Sequence, residues 1–145
     1  MLTGALIGAV CGLVAAIFIF LSKEQRFNKI LRSIQRPEME YAALYHYASD
    51  KRYGKGMKIY DSYGVLYIIG SMVYYKTTEA IAPMEFNMKE SKVQQEPDWR
   101  RLKWFSITTP SGEKHYFDSF KMGFFANNSD ETLKGLAAIQ AKAAS

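Results

Sequence analysis

Gly64-Val65-Leu66-Tyr67-Ile68-Ile69-Gly70-Ser71-Met72-Val73-Tyr74-Tyr75 reads as two β-prone runs joined by a tight link. β-Branched and aromatic side chains fill both runs, and Gly70-Ser71 supplies residues that suit a hairpin turn. Similar short runs flank this pair, at about Lys58 to Tyr60, Met84 to Met88, Leu102 to Thr108 and Lys114 to Phe117. Pro110-Ser111-Gly112 makes a second tight link, between the last two of these. Aromatic residues make up 14% of the chain, with ten Tyr and nine Phe, which favours a strand-rich core. A final helix is expected from a cap at Asn128 or Ser129 through about Lys142, with Leu133, Leu136, Ala137 and Gln140 on one side, extended by Ile139.

Upstream of the strands the texture is helical. Pro37-Glu38-Met39-Glu40 has the proline and acidic residues of a first turn, so a helix is expected to run to about Ser49, with Tyr41, Tyr45 and Ala48 on one side. Asp50-Lys51-Arg52-Tyr53-Gly54-Lys55-Gly56 then reads as a flexible basic loop. Its Gly-Lys-Gly resembles a phosphate loop only superficially, because no Gly-Lys-Ser/Thr follows and no strand is evident before it.

The order of elements resembles bacterial pleckstrin-homology-like and GRAM-like domains, in which a twisted antiparallel sandwich or open barrel is closed by one C-terminal helix. Gly64 to Tyr75 looks like the family's opening hairpin, Trp104-Phe105-Ser106-Ile107-Thr108-Thr109-Pro110-Ser111-Gly112-Glu113-Lys114-His115-Tyr116-Phe117 like its late hairpin, and the helix from Ser129 like its closing element. The likeness spans roughly residues 57 to 142 and rests on apolar alternation and turn residues. It departs from the family over Glu79 to Asp98, which is poorer in clear strands. The alternative is an α+β sheet with flanking helices of the cystatin-like or nuclear-transport-factor-like (NTF2-like) kind. Either way the class is α+β.

The other deciding stretch is Leu2 to Leu21, twenty residues with no charge and a single Thr. At about 1.5 Å per residue they reach roughly 30 Å, the thickness of a hydrocarbon core. No Lys or Arg precedes the run, and the small residues Val14-Ala15-Ala16 lie in its middle, so it reads as a retained span rather than a cleaved signal. Lys23, Arg26, Lys29, Arg32 and Arg36 follow it immediately. This bias places the C-terminal domain in the cytoplasm and the N-terminus outside, in a single-pass arrangement; the resemblance implies a bacterial inner membrane. Gly4, Gly8, Gly12 and Ala16 recur every four residues and form a small-residue face suited to helix pairing, with a copy of the chain or with another membrane protein. Beyond the span, Phe27, Ile30, Leu31 and Ile34 follow a helical apolar spacing with Lys29, Arg32 and Arg36 opposite. This basic amphipathic helix has two readings: it lies in the interface against anionic headgroups, or it is a stem packed on its own domain.

The expected organisation is therefore a transmembrane helix over 2–22, a basic juxtamembrane helix over 23–36, a helix and basic loop over 37–56 and the pleckstrin-homology-like domain over 57–145. The net charge of +5 resides beside the membrane: Lys23 to Arg36 carry five basic residues and one acidic, and the remainder carries 14 basic and 13 acidic, or +1. A nucleic-acid domain would itself be basic, so no nucleic-acid partner is expected. Cys11 is the one cysteine, so the chain cannot close a disulfide or build a thiolate zinc site. With two His, His46 and His115, and no free thiol outside the apolar run, no catalytic residues, metal or cofactor are expected. Two basic groups remain: Lys51, Arg52, Lys55 and Lys58, and, flanked by Trp99 and Trp104, Arg100, Arg101 and Lys103. The resemblance would place a lipid headgroup at the first group. The expected function is a membrane-tethered, non-catalytic interaction or scaffold module that engages a protein partner, with anionic-lipid recognition as the alternative.

Overall fold

The computed structural model describes the backbone of residues 2–34, 36–119 and 129–145, and the side-chain surroundings of the same residues apart from 2–7 and 129. The helix α1 (Leu2–Ile34) is followed by β1 (Met39–Ser49), β2 (Ser62–Ile69), β3 (Met72–Lys76), β4 (Met84–Asn87), β5 (Lys92–Trp99), β6 (Leu102–Thr108), β7 (Lys114–Ser119) and the helix α2 (Ser129–Ala143). The class is α+β, as the sequence predicts. The strands form one open antiparallel sheet in the order β4-β3-β2-β1-β7-β6-β5.

α1 is continuous over 33 residues, about 50 Å at helical rise. It is long and apolar enough to cross a membrane. Val10, Leu13, Val14, Ile17, Phe18, Ile19 and Leu21 stand exposed around its first part, so no protein surface covers them. Its last part behaves differently. Phe27, Ile30, Leu31 and Ile34, the predicted apolar stripe, pack against Leu44, Val65 and Tyr67 on the outer face of the sheet. Of the two readings of this amphipathic segment, the packed stem is the one observed.

The expected helix from Pro37 to Ser49 is not present; Met39–Ser49 is β1, a central strand paired with both β2 and β7. The reason lies in the spacing used to read it. Tyr41 and Tyr45 are four apart, and four is even, so they share a face in a strand as well as in a helix. Tyr45 belongs to the inner core while Leu44 and Ala48 belong to clusters on the outer face, an alternation only a strand produces. The sheet domain consequently begins at β1 rather than at residue 57, and the Gly64–Tyr75 hairpin is its β2–β3 pair rather than its opening one. Lys58 to Tyr60 forms no strand. In the stretch thought poor in strands, Lys92–Trp99 forms the edge strand β5, whose Gln94, Gln95 and Pro97 are exposed. Edge strands tolerate polar residues and proline because one side of their backbone pairs with nothing.

The sheet curls on itself. Phe86 of β4 lies 5.0 Å from the His115 ring and 5.9 Å from Phe117 of β7, although β3, β2 and β1 separate these strands in the sheet. Leu66, Ile68, Val73, Tyr75, Phe105, Ile107 and Phe117 fill the concave side, and Leu136 and Ile139 of α2 close it. The buried side of α2 carries Thr132, Gly135, Leu136 and Ile139, whereas Leu133, Ala137 and Gln140 are exposed, so the packed face is rotated from the expected one. A closer contact sets that rotation. Gly135 passes over the hydroxyls of Tyr41 and Tyr45, where a Cβ would overlap Tyr45. Tyr41 donates to Glu131 Oε1 at 2.8 Å, and Tyr45 donates to the Glu131 carbonyl at 3.1 Å. Burial first, then the neighbouring Tyr45 and Glu131, push the Tyr41 hydroxyl far above its ordinary pKa, so it serves as a donor at every physiological pH. The Lys142–Glu40 ion pair ties the far end of α2 to β1. The predicted cap at Asn128 or Ser129 lies outside the residues whose side chains are described.

Candidate functional site

The β1–β2 loop, residues 50–61, is the segment read as flexible, yet it folds down on the outer face of the sheet's second half. Tyr53 is the reason. Its ring stacks on Tyr116 at 4.1 Å and meets Trp99 and Trp104 edge-on at 5.4 and 5.3 Å, and its hydroxyl donates to the Pro97 carbonyl at 2.7 Å. Burial and the Asp50 carboxylate, to which Tyr116 donates at 3.1 Å, push the Tyr116 hydroxyl up to about 12. Tyr60 stacks on His46 at 3.6 Å, and His46 Nδ1 pairs with the fully buried Asp118 Oδ1 at 3.1 Å. The end of the loop is latched by Asp61, which accepts the Ser49 amide and hydroxyl, both at 2.8 Å, and Arg52 Nε at 3.1 Å. Partial burial alone would raise the Asp61 carboxyl, but these donors together hold it below its usual range.

The β5–β6 hairpin lies beside this loop. Trp99 pairs with Leu102, leaving Arg100 and Arg101 as a two-residue turn with φ of 53° and 63°. Positive φ at both central positions is the type I′ arrangement, normally met by Asn-Gly because other side chains crowd the backbone there. Arg100 donates to the Gly56 carbonyl at 3.2 Å. The two basic groups that are distant in the sequence thus become one surface. Within it Arg52 pairs with Asp61, Lys103 with Asp98 at 2.7 Å, and Lys55 donates to the Asp50 carbonyl at 3.1 Å. Among the described residues Lys51, Lys58 and Arg101 are exposed with no such tie, and Met57, next to Lys58 in the chain, is 91% exposed. The arrangement can present cations and an apolar tip to an anionic or amphipathic partner. Although β1 does precede Gly54-Lys55-Gly56, a strand rather than a helix follows, so no helix N-terminus faces a bound phosphate there.

The strained turn yields a measurable consequence. Left-handed conformation costs an ordinary residue roughly 1–2 kcal/mol, part of which is offset in glycine by its freer unfolded chain. Arg100→Asn with Arg101→Gly is therefore expected to stabilise the domain by about 1 kcal/mol despite loss of the Gly56 contact, raising Tm by roughly 2–4 °C. Thermal denaturation of the detergent-solubilised full chain checks the sign.

The cations that follow the apolar run divide. The Arg26 guanidinium lies 4.1 Å over the Tyr63 ring and donates to the Thr77 carbonyl at 2.8 Å, and Lys23 Nζ lies 5.9 Å from the same ring. Lys29, Arg32 and Arg36 are exposed. A cavity of about 220 Å³ opens where the stem ends, lined by Ile34, Arg36, Tyr67, Tyr74, Lys76 and Glu85. Gly8 and Gly12 have nothing within 4 Å of where a Cβ would stand, so that helix face is open; Gly4 lies among the residues whose surroundings are not described. Ala16 is half-buried.

The sequence singled out the cations, with Trp99 and Trp104 beside the second group, but not Tyr53, which brings the two groups together. Tyr53, with Ile59 and Tyr60 just beyond it, was the available signal, since a loop with no packing role would not carry such side chains. Comparison with protein-family models and with curated proteins gives no match.

Proposed function

We propose that this chain is a membrane-anchored interaction module, in which α1 spans the bilayer and holds a pleckstrin-homology-like domain at the cytoplasmic face, there to assemble with a membrane-protein partner. The observation that carries this reading is the burial of Ile30 between the stem and the sheet, at 0% exposure, which makes the helix and the domain one body. An anchor meant only to retain a domain needs no such docking. A docked stem orients the basic surface relative to the bilayer, and orientation matters when a partner is itself held in the same plane. Confinement also raises the effective concentration of the two, so a modest contact area suffices. The order β4-β3-β2-β1-β7-β6-β5 with a closing C-terminal helix supports the pleckstrin-homology-like reading over the alternative sheet folds. The cations following the apolar run support the cytoplasmic placement.

Anionic-lipid recognition is the second reading, favoured by exposed Lys51, Lys58 and Arg101 and by the exposed apolar Met57. One experiment separates the two. A photo-crosslinking residue replacing Arg101 or Lys58 in the full chain, activated in native membranes, is expected to give a discrete protein adduct. Adducts with anionic lipid alone would favour the second reading, and absence of either adduct would remove the surface from both.

A further inference from the structure

We propose that the β3–β4 loop, residues 77–83, is a second point of contact with the bilayer, its apolar tip Ala80-Ile81-Ala82 resting in the interfacial layer beside the span. The inference rests on α1 being a membrane span and goes beyond it, because it assigns a lipid-facing surface to the sheet domain.

The direction of the elements fixes which end of the domain faces the membrane. Arg26 and Lys23 lie over Tyr63 near the start of β2, while Ile34 shares a cavity with Tyr67 and Ile69 toward its end. The stem and β2 therefore run the same way, leading away from the span. β3 is antiparallel to β2 and returns toward the span, and its exit at Thr77 is bonded to Arg26. Arg26 stands five residues past Leu21, about 7.5 Å along the helix, and the interfacial layer on each side of a bilayer is itself roughly 5–8 Å thick. The chain therefore leaves β3 at that level, and it returns to β4 through Pro83, which lines the cavity at the stem's end.

The loop is held there rather than left free. Lys76 Nζ donates to the Ile81 carbonyl at 2.8 Å, and the Ile81 amide donates to Thr78 Oγ1 at 3.3 Å. This closed turn presents Ile81 outward at 56% exposure, with Ala80 and Ala82 exposed on either side. Among the described residues beyond Leu21, the large apolar side chains left exposed are Met57, Ile81 and Leu133, and of these Ile81 alone has exposed small apolar residues on both sides. The charges close to the tip are Lys76, the last residue of β3, and Glu79 on the loop, with Arg26 of the stem already engaged by Tyr63 and Thr77 and Lys23 over the same Tyr63 ring. Lys76 and Glu79 balance, so the contact is apolar in character and should hold at high salt, unlike headgroup binding by unpaired lysines.

The single native cysteine allows a direct test in the full chain, reconstituted in vesicles of mixed neutral and anionic lipid. A nitroxide is attached to native Cys11, or, in a Cys11→Ser background, to Ile81→Cys, Ala80→Cys or Lys89→Cys. Lys89 lies in the β4–β5 turn at the opposite end of the sheet, since Asn87 pairs with Met72. The Ile81 and Ala80 labels are expected to collide with an aqueous nickel chelate several-fold less than the Lys89 label, and with oxygen more, with no change in high salt. The Ala80 label keeps Ile81 in place and so guards against the substitution itself lifting the loop. If both loop labels behave like Lys89 while Cys11 remains shielded, the loop contact is overturned and the span stands. If Cys11 is itself open to the chelate, the span reading fails first.

Discussion

Gly64→Ala is expected to destabilise the domain by about 3 kcal/mol, the upper end of what overpacking usually costs. Gly64 is buried in β2, and a Cβ there would overlap the Lys76 carbonyl oxygen, with Lys76 C and Thr77 Cα each at 2.9 Å. The obstacle is backbone, which cannot swing aside as a side-chain tip can. Relief requires the β2–β3 ladder to part where Val65 pairs with Lys76, close to the carbonyl of Thr77 that Arg26 holds. The substitution should therefore loosen two things together, the sheet and the docking of the stem. Thermal denaturation of the full chain in detergent reads the first, with a Tm loss of roughly 6–12 °C. Faster hydrogen exchange at the amides of β3 and of the stem reads the second. A Gly64→Ala chain as stable as the parent would mean that β2 and β3 do not approach as closely as described.

What was legible in the sequence follows the range over which each feature is decided. The apolar run of α1 and the stem stripe of Phe27, Ile30, Leu31 and Ile34 are set locally, by composition and by periodicity, and the stem packs on the faces that spacing predicts. The hairpins β2–β3 and β6–β7 carry their own turn residues and were equally plain. β1 was not, because an even spacing of tyrosines satisfies both periods, and only pairing with β2 and β7 decides between them. β5 was hidden by being an edge. The candidate surface was legible as two lists of cations, whereas their convergence depends on Tyr53 reaching Trp99, Trp104 and Tyr116 across 46 to 63 residues of chain. No local pattern contains that information. The strain at Arg100 and Arg101 is likewise invisible until the two-residue turn between Trp99 and Leu102 is known.

Ile30→Asp is expected to release the stem from the sheet while leaving the domain folded. Ile30 has no solvent exposure and packs with Leu44, Val65 and Tyr67. Truncating such a side chain typically costs about 2–5 kcal/mol, and a carboxylate in its place adds the penalty of an unpaired buried charge. The stem can escape that penalty by undocking. The inner core offers no such escape and needs none: Tyr45, Phe105, Ile107, Phe117, Leu136 and Ile139 form a cluster to which α1 contributes nothing. The cost should thus fall on the joint between the span and the domain. Spin labels on native Cys11 and on Lys89→Cys, in the reconstituted full chain, are expected to give a narrow distance distribution in the parent and in Ile30→Val, and a broad one in Ile30→Asp. If a fixed orientation is what the docked stem provides, the Ile30→Asp chain should also lose the protein adduct formed through Arg101, although every residue of that surface is unchanged. A narrow distribution in Ile30→Asp would show that the joint is held by something other than this contact. Retention of the adduct with a broad distribution would separate partner binding from orientation, and would leave α1 the simpler role of a tether.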